Sequence, residues 1–184
     1  MEGSVLIFIF NLVTHYILLG MVVFSILQPK HRIWPPIKKN SWQYKSYWGL
    51  FYGSVFLDFV IFLQSFDSWV IASVFQYGLG IIMISIGGFI LLKAIATLGI
   101  KNTYGLKDKF VEEGIYKFSR NPQYVGDIVL LFGLILFCNS LELTLFFSLE
   151  ILMFLLMPFS EEIWLEEVYG KKYLIYKEKT TRFI

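Results

Sequence analysis

The feature that most constrains this chain is a run of 25 residues without a formal charge, Gly3–Leu27, close to the amino terminus. A helix needs about 20 apolar residues, at about 1.5 Å each, to cross a hydrocarbon core about 30 Å thick. The run has that length, no Lys or Arg precedes it and no small-residue cleavage motif follows it, which is unlike a cleavable signal peptide. We therefore predict that it is a retained membrane span.

Three further apolar regions predict a multi-pass membrane protein. Tyr47–Gln64 and Trp69–Leu92 predict two antiparallel spans joined by a short turn at Ser65–Ser68. Gln123–Phe159 is apolar for 37 residues, too long for one span, and polar residues at Asn139–Glu142 indicate a turn within it. We expect a helical hairpin there, with arms of about 17 residues that are short for a full crossing. The predicted fold class is all-α, with about five transmembrane spans.

Composition agrees with this class and excludes several others. Hydrophobic residues make up 57% of the chain and charged residues 16%, against roughly 45–50% and about 25% in soluble proteins. A disordered chain and a nucleic-acid binder with a basic surface are excluded, and the single cysteine, Cys138, excludes a disulfide scaffold. The lipid bilayer is the expected partner, and the oligomeric state is left open.

The basic residues are confined to three segments of the chain. Residues 28–46, 93–122 and 160–184 hold all 16 Lys and Arg, and the segments on the opposite side of a five-span protein hold none. Basic loops remain on the cytosolic side of membranes. We therefore predict a non-cytosolic amino terminus and a cytosolic carboxyl terminus, in a bacterial or archaeal plasma membrane or a eukaryotic endomembrane.

This pattern divides the chain into two parts. Residues 1–92 would hold three spans and the basic cytosolic loop 28–46, which we expect to lie on the membrane surface. Its interfacial anchors would be Trp34, Trp42, Tyr44, Tyr47 and Trp48. Residues 93–184 would hold a cytosolic loop (93–122), the hairpin (123–159) and an amphipathic carboxyl-terminal segment (160–184).

Two polar segments of the second part offer groups for a binding site. Pro122 suits the start of a helix, and the free amides around Asn121, beside Arg120, would cradle an anionic group. Helical spacing places an acid and aromatic stripe on one face of the last segment. The members of this stripe are Glu162, Glu166, Tyr169, Tyr173 and Tyr176. It would hold a cation or a purine, or else rest on lipid headgroups.

The same residues carry a family resemblance over roughly Thr97–Ile184. The pattern comprises Gly114, Tyr116, Arg120, Pro122, Tyr124, Gly126, the hairpin, Glu161, Glu162, Tyr169, Gly170, Tyr173, Tyr176 and Arg182. It resembles the isoprenylcysteine carboxyl methyltransferases and the related phospholipid methyltransferases. The resemblance implies an integral membrane enzyme that binds S-adenosylmethionine at the cytosolic face. Its substrate would be lipophilic, with the carboxylate of a prenylcysteine-like compound as the first choice of methyl acceptor.

The resemblance also implies roles for individual residues. Cofactor binding is expected from Gly114, Tyr116, Arg120, Asn121, Pro122, Tyr124, Gly126, Glu161, Glu162 and Tyr173. Arg182 and Glu162 are the predicted catalytic residues, and Glu150, Tyr176 and Arg182 are expected to bind substrate. No metal site is predicted. Substitutions Glu162→Gln and Arg120→Ala are expected to weaken cofactor binding and to leave the fold intact.

Two departures from the family pattern keep alternatives open. Asn121 stands where the family has His, and Asn cannot titrate. The sequence Tyr124-Val-Gly126-Asp127 resembles one found in the membrane sterol reductases, which use NADPH. The alternatives are an NADPH-dependent membrane reductase of a sterol-like lipid and a non-catalytic membrane protein of the same fold.

Polar residues inside the predicted spans need partners because a charge in hydrocarbon is costly. Asp58, Asp127 and Glu150 are such residues, and Glu150 would either line a substrate path or form an interhelical hydrogen bond. His15 is expected to form an interhelical hydrogen bond. Close helix packing is expected at Gly78, Gly80, Gly87 and Gly88.

Overall fold

The computed structural model of the protein describes residues 2–68 and 73–184. Its helices are α1 (Glu2–Leu27), α2 (Trp42–Ser65), α3 (Val74–Leu98), α4 (Ile100–Thr103), α5 (Pro122–Cys138), α6 (Leu141–Tyr169) and α7 (Lys171–Lys179). Two 3-10 turns, Pro29–His31 and Gly114–Lys117, complete the regular structure. The described residues contain no β-strand, so the all-α prediction is confirmed.

Four of these helices, α1, α2, α3 and α6, are long and apolar enough to cross a membrane. The fifth apolar helix, α5, has 17 residues and is about 25 Å long, as expected for a short hairpin arm. The predicted start of the third span at Trp69 lies outside the described residues, and its helix continues past the predicted end at Leu92 to Leu98. The protein is an integral membrane protein with a span count close to the prediction.

The predicted hairpin is confirmed at α5 and α6. Asn139 ends α5 in the left-handed conformation, at φ 46° and ψ 48°. Ser140 then caps α6, because its side chain accepts a hydrogen bond from the Leu143 amide. Helix α6 does not end near Phe159, however. It continues through Pro158 to Tyr169, and its 29 residues measure about 43 Å, so one rigid element extends from the hairpin turn into the polar segment.

The prediction of one helix face from Glu162 to Tyr176 is wrong. Gly170 breaks the helix at φ 52° and ψ −130°, a conformation that glycine adopts without a steric penalty. The chain then turns into α7. Tyr173 and Tyr176 are nevertheless buried, so the turn brings them back toward the residues that precede it.

Helix α6 lies at the centre of the bundle. More than half of its apolar window is buried (56%), against 17–28% for α1, α2 and α3. Helices α1, α2 and α5 pack on α6, while α3 packs along α5. The outer faces of α1, α2 and α3 carry exposed apolar side chains such as Phe10, Phe56 and Phe89, which suits contact with lipid.

Glycines set the distance between α3 and α5. A Cβ atom on Gly87 would lie 2.4 Å from the Leu130 nitrogen, and a Cβ on Gly126 would lie 2.7 Å from the Leu91 nitrogen. Gly80 and Gly133 form a second pair on the same two helices, where the backbones also approach closely. The close-packing prediction therefore holds for Gly80 and Gly87. It is wrong for Gly78 and Gly88, whose Cβ positions face open space.

The loop 28–46 is not confined to the membrane surface. Trp34 is 2% exposed and stacks near Tyr47, with ring centroids 4.6 Å apart. Its carbonyl accepts a hydrogen bond of 2.6 Å from the buried Ser160 hydroxyl on α6. The prediction of interfacial anchors is therefore wrong for Trp34 and Tyr47, because the loop folds inward onto α6. Trp42, in contrast, is 63% exposed.

Candidate active site

Glu162 lies at the centre of a charge cluster near the end of α6. Its Oε1 accepts hydrogen bonds from Arg120 Nη2 at 3.0 Å and from Arg182 Nε at 2.9 Å. Its Oε2 accepts a third from Arg182 Nη2 at 3.0 Å. These charge-assisted bonds raise the pKa of the Arg182 guanidinium. Two sequence-distant segments, 93–122 and 160–184, thus meet at one carboxylate, as is needed if both contribute to one cofactor site.

Arg120 also fastens the end of α7. Its Nη1 donates to the carbonyls of Lys177 at 2.8 Å and Thr180 at 3.1 Å. Its backbone amide donates to the Thr181 carbonyl at 2.9 Å. The Lys177 and Thr180 carbonyls lie at the end of α7, where a helix leaves acceptors without intrahelical donors. Arg120 therefore holds the carboxyl-terminal segment as well as Glu162.

Asn121 makes a structural contact that requires only a neutral hydrogen-bond donor. Its Nδ2 donates to the Arg182 carbonyl at 3.0 Å, and the Ser119 hydroxyl donates to the same oxygen at 3.3 Å. On the neighbouring side, the Tyr176 hydroxyl donates to the Tyr116 carbonyl at 2.6 Å. The loop before α5 is consequently joined to the chain terminus through neutral hydrogen bonds.

A cavity that is partly open to solvent lies beside this cluster. The structure brings seven predicted site residues to its wall, namely Tyr116, Arg120, Asn121, Tyr124, Glu161, Tyr173 and Tyr176. The sequence missed other lining residues, including Phe110 and Trp164. Phe110 lies outside the helices and gave no periodic signal, and Trp164 lies on α6 beyond the predicted end of the hairpin at Phe159.

Three polar groups on this wall are suited to a ligand. Glu161 Oε2 accepts a hydrogen bond of 2.8 Å from the Tyr124 hydroxyl, and no arginine in the described part of the chain pairs with it. The Tyr173 hydroxyl and Arg120 Nε are buried and have no hydrogen-bond partner among the described residues. Burial raises the pKa of Tyr173 well above its ordinary value, so its hydroxyl keeps its proton and remains a donor.

Six other predicted residues lie away from the cavity wall. Gly114 has a φ of 59°, and a Cβ atom on it would lie 3.2 Å from Thr97 Cγ2. Pro122 begins α5, and Gly126 packs on α3. Glu162 forms ion pairs with both Arg120 and Arg182. Glu150 lies in the middle of α6 beside His15.

A second cavity adjoins the first. Thr103, Gln123 and Tyr124 line both. The rest of its wall is mainly aromatic and aliphatic: Trp34, Tyr47, Trp48, Phe51, Tyr52, Leu91, Ile95, Ile100, Tyr104, Asp127, Phe154 and Met157. The sequence did not predict this cavity. The only signal was the density of aromatic residues between positions 34 and 52, which we attributed to the membrane interface.

Comparison with known families decides the class. The family model described as phospholipid methyltransferase matches residues 74–172, more than half of the 184 residues. The chain belongs to the phospholipid methyltransferase family. No characterised protein and no solved structure gives a significant match.

The region of this phospholipid methyltransferase family member that matches the family model extends from the start of α3 into α7. It includes Arg120, Asn121, Glu161 and Glu162, and it ends before Tyr173, Tyr176 and Arg182. The family is one of integral membrane methyltransferases, so the membrane methyltransferase class predicted from the sequence is confirmed.

Proposed function

We propose that the protein transfers a methyl group from S-adenosylmethionine to a lipophilic acceptor, with a carboxylate as the first choice of acceptor group. The observation that carries this proposal is the pair of adjoining cavities. One has charged and aromatic walls, the other is largely apolar, and Gln123 and Tyr124 belong to both. This arrangement suits a polar donor and an apolar acceptor that meet at a shared wall.

The residues of the first cavity fit the chemistry of the cofactor. Arg120 Nε and the Tyr173 hydroxyl offer two buried donors for its carboxylate. Glu161 would accept hydrogen bonds from its ammonium or its ribose hydroxyls. Phe110 and Trp164 offer aromatic faces for adenine or for the sulfonium charge. When bound, the cofactor supplies an electrophilic methyl group.

The second cavity fits an apolar tail. Its wall presents aromatic rings such as Trp48 and Phe154, and burial of an apolar chain contributes about 0.8 kcal/mol per methylene group. The acceptor group of such a substrate would lie toward Gln123 and Tyr124. A carboxylate is ionised at neutral pH, so its methylation requires alignment and exclusion of water rather than a base. Held reactants can gain roughly 7–11 kcal/mol of the barrier in this way.

Glu162 and Arg182 receive a different role from the one expected. Glu162 accepts hydrogen bonds from both Arg120 and Arg182, so we propose that Glu162 and Arg182 are positioning residues, with Glu162 keeping Arg120 at the cavity wall and Arg182 orienting Glu162. If the acceptor were an amine or a thiol, a base would be required. Glu161 would then be the candidate, because it lines the cavity and lacks an arginine partner within the described residues.

Ligand-dependent melting in detergent tests the proposed cofactor. S-adenosylhomocysteine at 100 times its dissociation constant should stabilise the protein by about 2.7 kcal/mol. The variant Glu161→Gln should weaken this binding by about 1.5–3 kcal/mol. Glu167→Gln is the matched control, since Glu167 is about half exposed on the same helix. Stabilisation by NADPH and none by S-adenosylhomocysteine would replace this proposal with the reductase.

Radiolabelled methyl transfer tests the acceptor site. Acceptors of equal headgroup and increasing alkyl length should show falling KM values until the second cavity is filled. Trp48→Ala should raise KM for the longer acceptors and leave S-adenosylhomocysteine binding unchanged. Equal KM values for all chain lengths would show that the acceptor does not enter this cavity.

A further inference from the structure

A cluster of ionisable side chains lies inside the bundle, where α1, α2 and α6 meet. His15, Asp58 and Glu150 are 3%, 6% and 6% exposed. His15 Nε2 lies 3.7 Å from Asp58 Oδ2 and 3.5 Å from Glu150 Oε1. One ligand atom from each of the three residues falls within 4.8 Å of the others. Three separate helices therefore direct one imidazole and two carboxylates at a common point in the apolar interior.

The hydrogen bonds around this point orient its members. His15 Nδ1 lies 2.9 Å from the Asn11 carbonyl, which can only accept, so Nδ1 carries a proton. The neutral ring then has a lone pair on Nε2, directed at the carboxylates. Asn11 Nδ2 also donates to Asp58 Oδ1 at 2.8 Å. A histidine held by a carbonyl and a carboxylate held by an amide are the outer contacts that orient metal ligands.

The atoms that face the point lie close to one another but are not hydrogen-bonded within the described part of the chain. His15 Nε2 and Glu150 Oε1 are buried and have no hydrogen-bond partner among the residues that the structure describes. The amide oxygen of Asn11 is buried and unpaired in the same sense. Buried polar atoms are normally hydrogen-bonded, so these three atoms together indicate a group that they would bind.

The charge of the bound group follows from the two carboxylates and the apolar interior around it. Two carboxylates in an apolar interior are costly unless a cation neutralises them. A proton on His15 would leave one negative charge when both acids are ionised. A divalent cation with a neutral imidazole gives a net charge of zero, which is the cheapest state for a site inside a membrane bundle.

We propose that His15, Asp58 and Glu150 bind one divalent transition-metal ion, with Zn²⁺ as the first candidate. Zinc bonds to His nitrogen and carboxylate oxygen are about 2.0–2.2 Å long, and tetrahedral ligands of that length lie about 3.4 Å apart. The separations of 3.5 and 3.7 Å from His15 Nε2 are close to this spacing, and all three ligand atoms lie within 4.8 Å of one another. The Asn11 amide oxygen or a water would supply the fourth ligand. The sequence predicted no metal site, because these residues are far apart along the chain.

This ion would be structural rather than catalytic. Glu150 precedes Glu162 by 12 residues on α6, or about 18 Å. The metal would tie α1 and α2 to the central helix. The inference therefore does not depend on which reaction the cytosolic cavities support.

Metal analysis of the full-length protein in detergent tests the proposal. The protein is stripped with a chelator, dialysed against Zn²⁺ and then against metal-free buffer, and its zinc is counted by mass spectrometry. We expect one zinc per chain and a higher melting temperature than that of the stripped protein. Substituted Co²⁺ should show visible absorption of a four-coordinate site with nitrogen and oxygen ligands. Absence of retained metal, with stability that responds only to pH, would show a proton-sharing cluster and overturn the proposal.

Variants locate the site. His15→Gln, Asp58→Asn and Glu150→Gln should each lose the bound zinc and the metal-dependent rise in melting temperature. His31→Gln is the matched control, since His31 is the other histidine of the chain and is exposed. Asn11→Ala should weaken zinc binding by about 10-fold or more, since it removes the outer contact to Asp58 and one candidate for the fourth ligand. Zinc retained by folded His15→Gln would overturn the proposal, and the Co²⁺ spectrum of the unmodified protein decides it if the variants do not fold.

Discussion

Glu162 and Glu161 are neighbours on α6 with different roles. Glu162 is 3% exposed and compensates Arg120 and Arg182, while Glu161 accepts from Tyr124 at the cavity wall. Loss of one partner of a buried ion pair is costly because it leaves an uncompensated charge. The expectation that Glu162→Gln leaves the fold intact is therefore replaced by a stability prediction.

We expect Glu162→Gln to lower the free energy of unfolding by roughly 3–5 kcal/mol, since it leaves two arginines without a countercharge. Denaturant unfolding in detergent measures the effect. Glu112→Gln is the control, because the pair of Glu112 with Lys172 is about half exposed and such pairs contribute about 0–1 kcal/mol. Equal losses in the two variants would contradict the assigned role of Glu162.

Asn121 gives a second prediction at this scale. Asn121→Ala removes the hydrogen bond to the Arg182 carbonyl, which we expect to cost about 0.5–1.5 kcal/mol. Local opening should increase most at the chain terminus, so amide exchange should accelerate at residues 180–184 and stay unchanged in α1. Unaltered exchange at the terminus would show that Asn121 does not hold this segment.

Among the elements, α3 and α5 depend most on small residues. Their backbones approach at two glycine pairs, Gly80 with Gly133 and Gly87 with Gly126. Such contact substitutes for hydrophobic attraction, which is weak between helices in lipid. Because α5 also begins at the cavity wall, this spacing fixes where Gln123 and Tyr124 lie.

Gly87→Ala should separate α3 from α5 and destabilise the protein by about 1–3 kcal/mol, as overpacking does. Gly88→Ala is its control one position along, where a Cβ atom meets open space. That substitution should be neutral or stabilise by up to about 1 kcal/mol through helix propensity. Thermal melting of both variants measures the difference, and equal melting temperatures would contradict the close approach at Gly87.

For the whole molecule, the distribution of charge predicts an orientation in the membrane. All 16 basic residues would lie on one side of a five-span path, and α5 completes that path only if its length of about 25 Å reaches across the bilayer. The predicted cytosolic side is also the side of both cavities.

Cysteine labelling in sealed vesicles tests this orientation. In a Cys138→Ala background, Glu142→Cys should react with an impermeant maleimide from the non-cytosolic side. Lys107→Cys should react only from the cytosolic side, because positive loops remain there. Both positions are exposed on the protein, so access depends on the membrane alone. Labelling of both from the same side would mean that α5 does not cross.

The sequence predicted most reliably those features that depend on residues close together in the chain. Apolar length predicted the helices, and the polar residues at 139–142 predicted the hairpin turn, because both are local properties of the chain. The meeting of Arg120 with Glu162 was predicted through a family pattern. The single helix from Glu162 to Tyr176 was wrong, since periodicity does not register one glycine break at Gly170.

The chain alone determined that the protein is helical and crosses a membrane, because hydrocarbon thickness acts on every segment separately, and its charge pattern predicts that the basic segments share one face. Packing decided the rest. Adjacent residues on a helix point about 100° apart, so the position of α6 decided that Glu161 faces the cavity and Glu162 the arginines. The same contacts drew Trp34 into the core and brought His15, Asp58 and Glu150 together. Such encounters join residues far apart in sequence, and only the folded backbone specifies their distances.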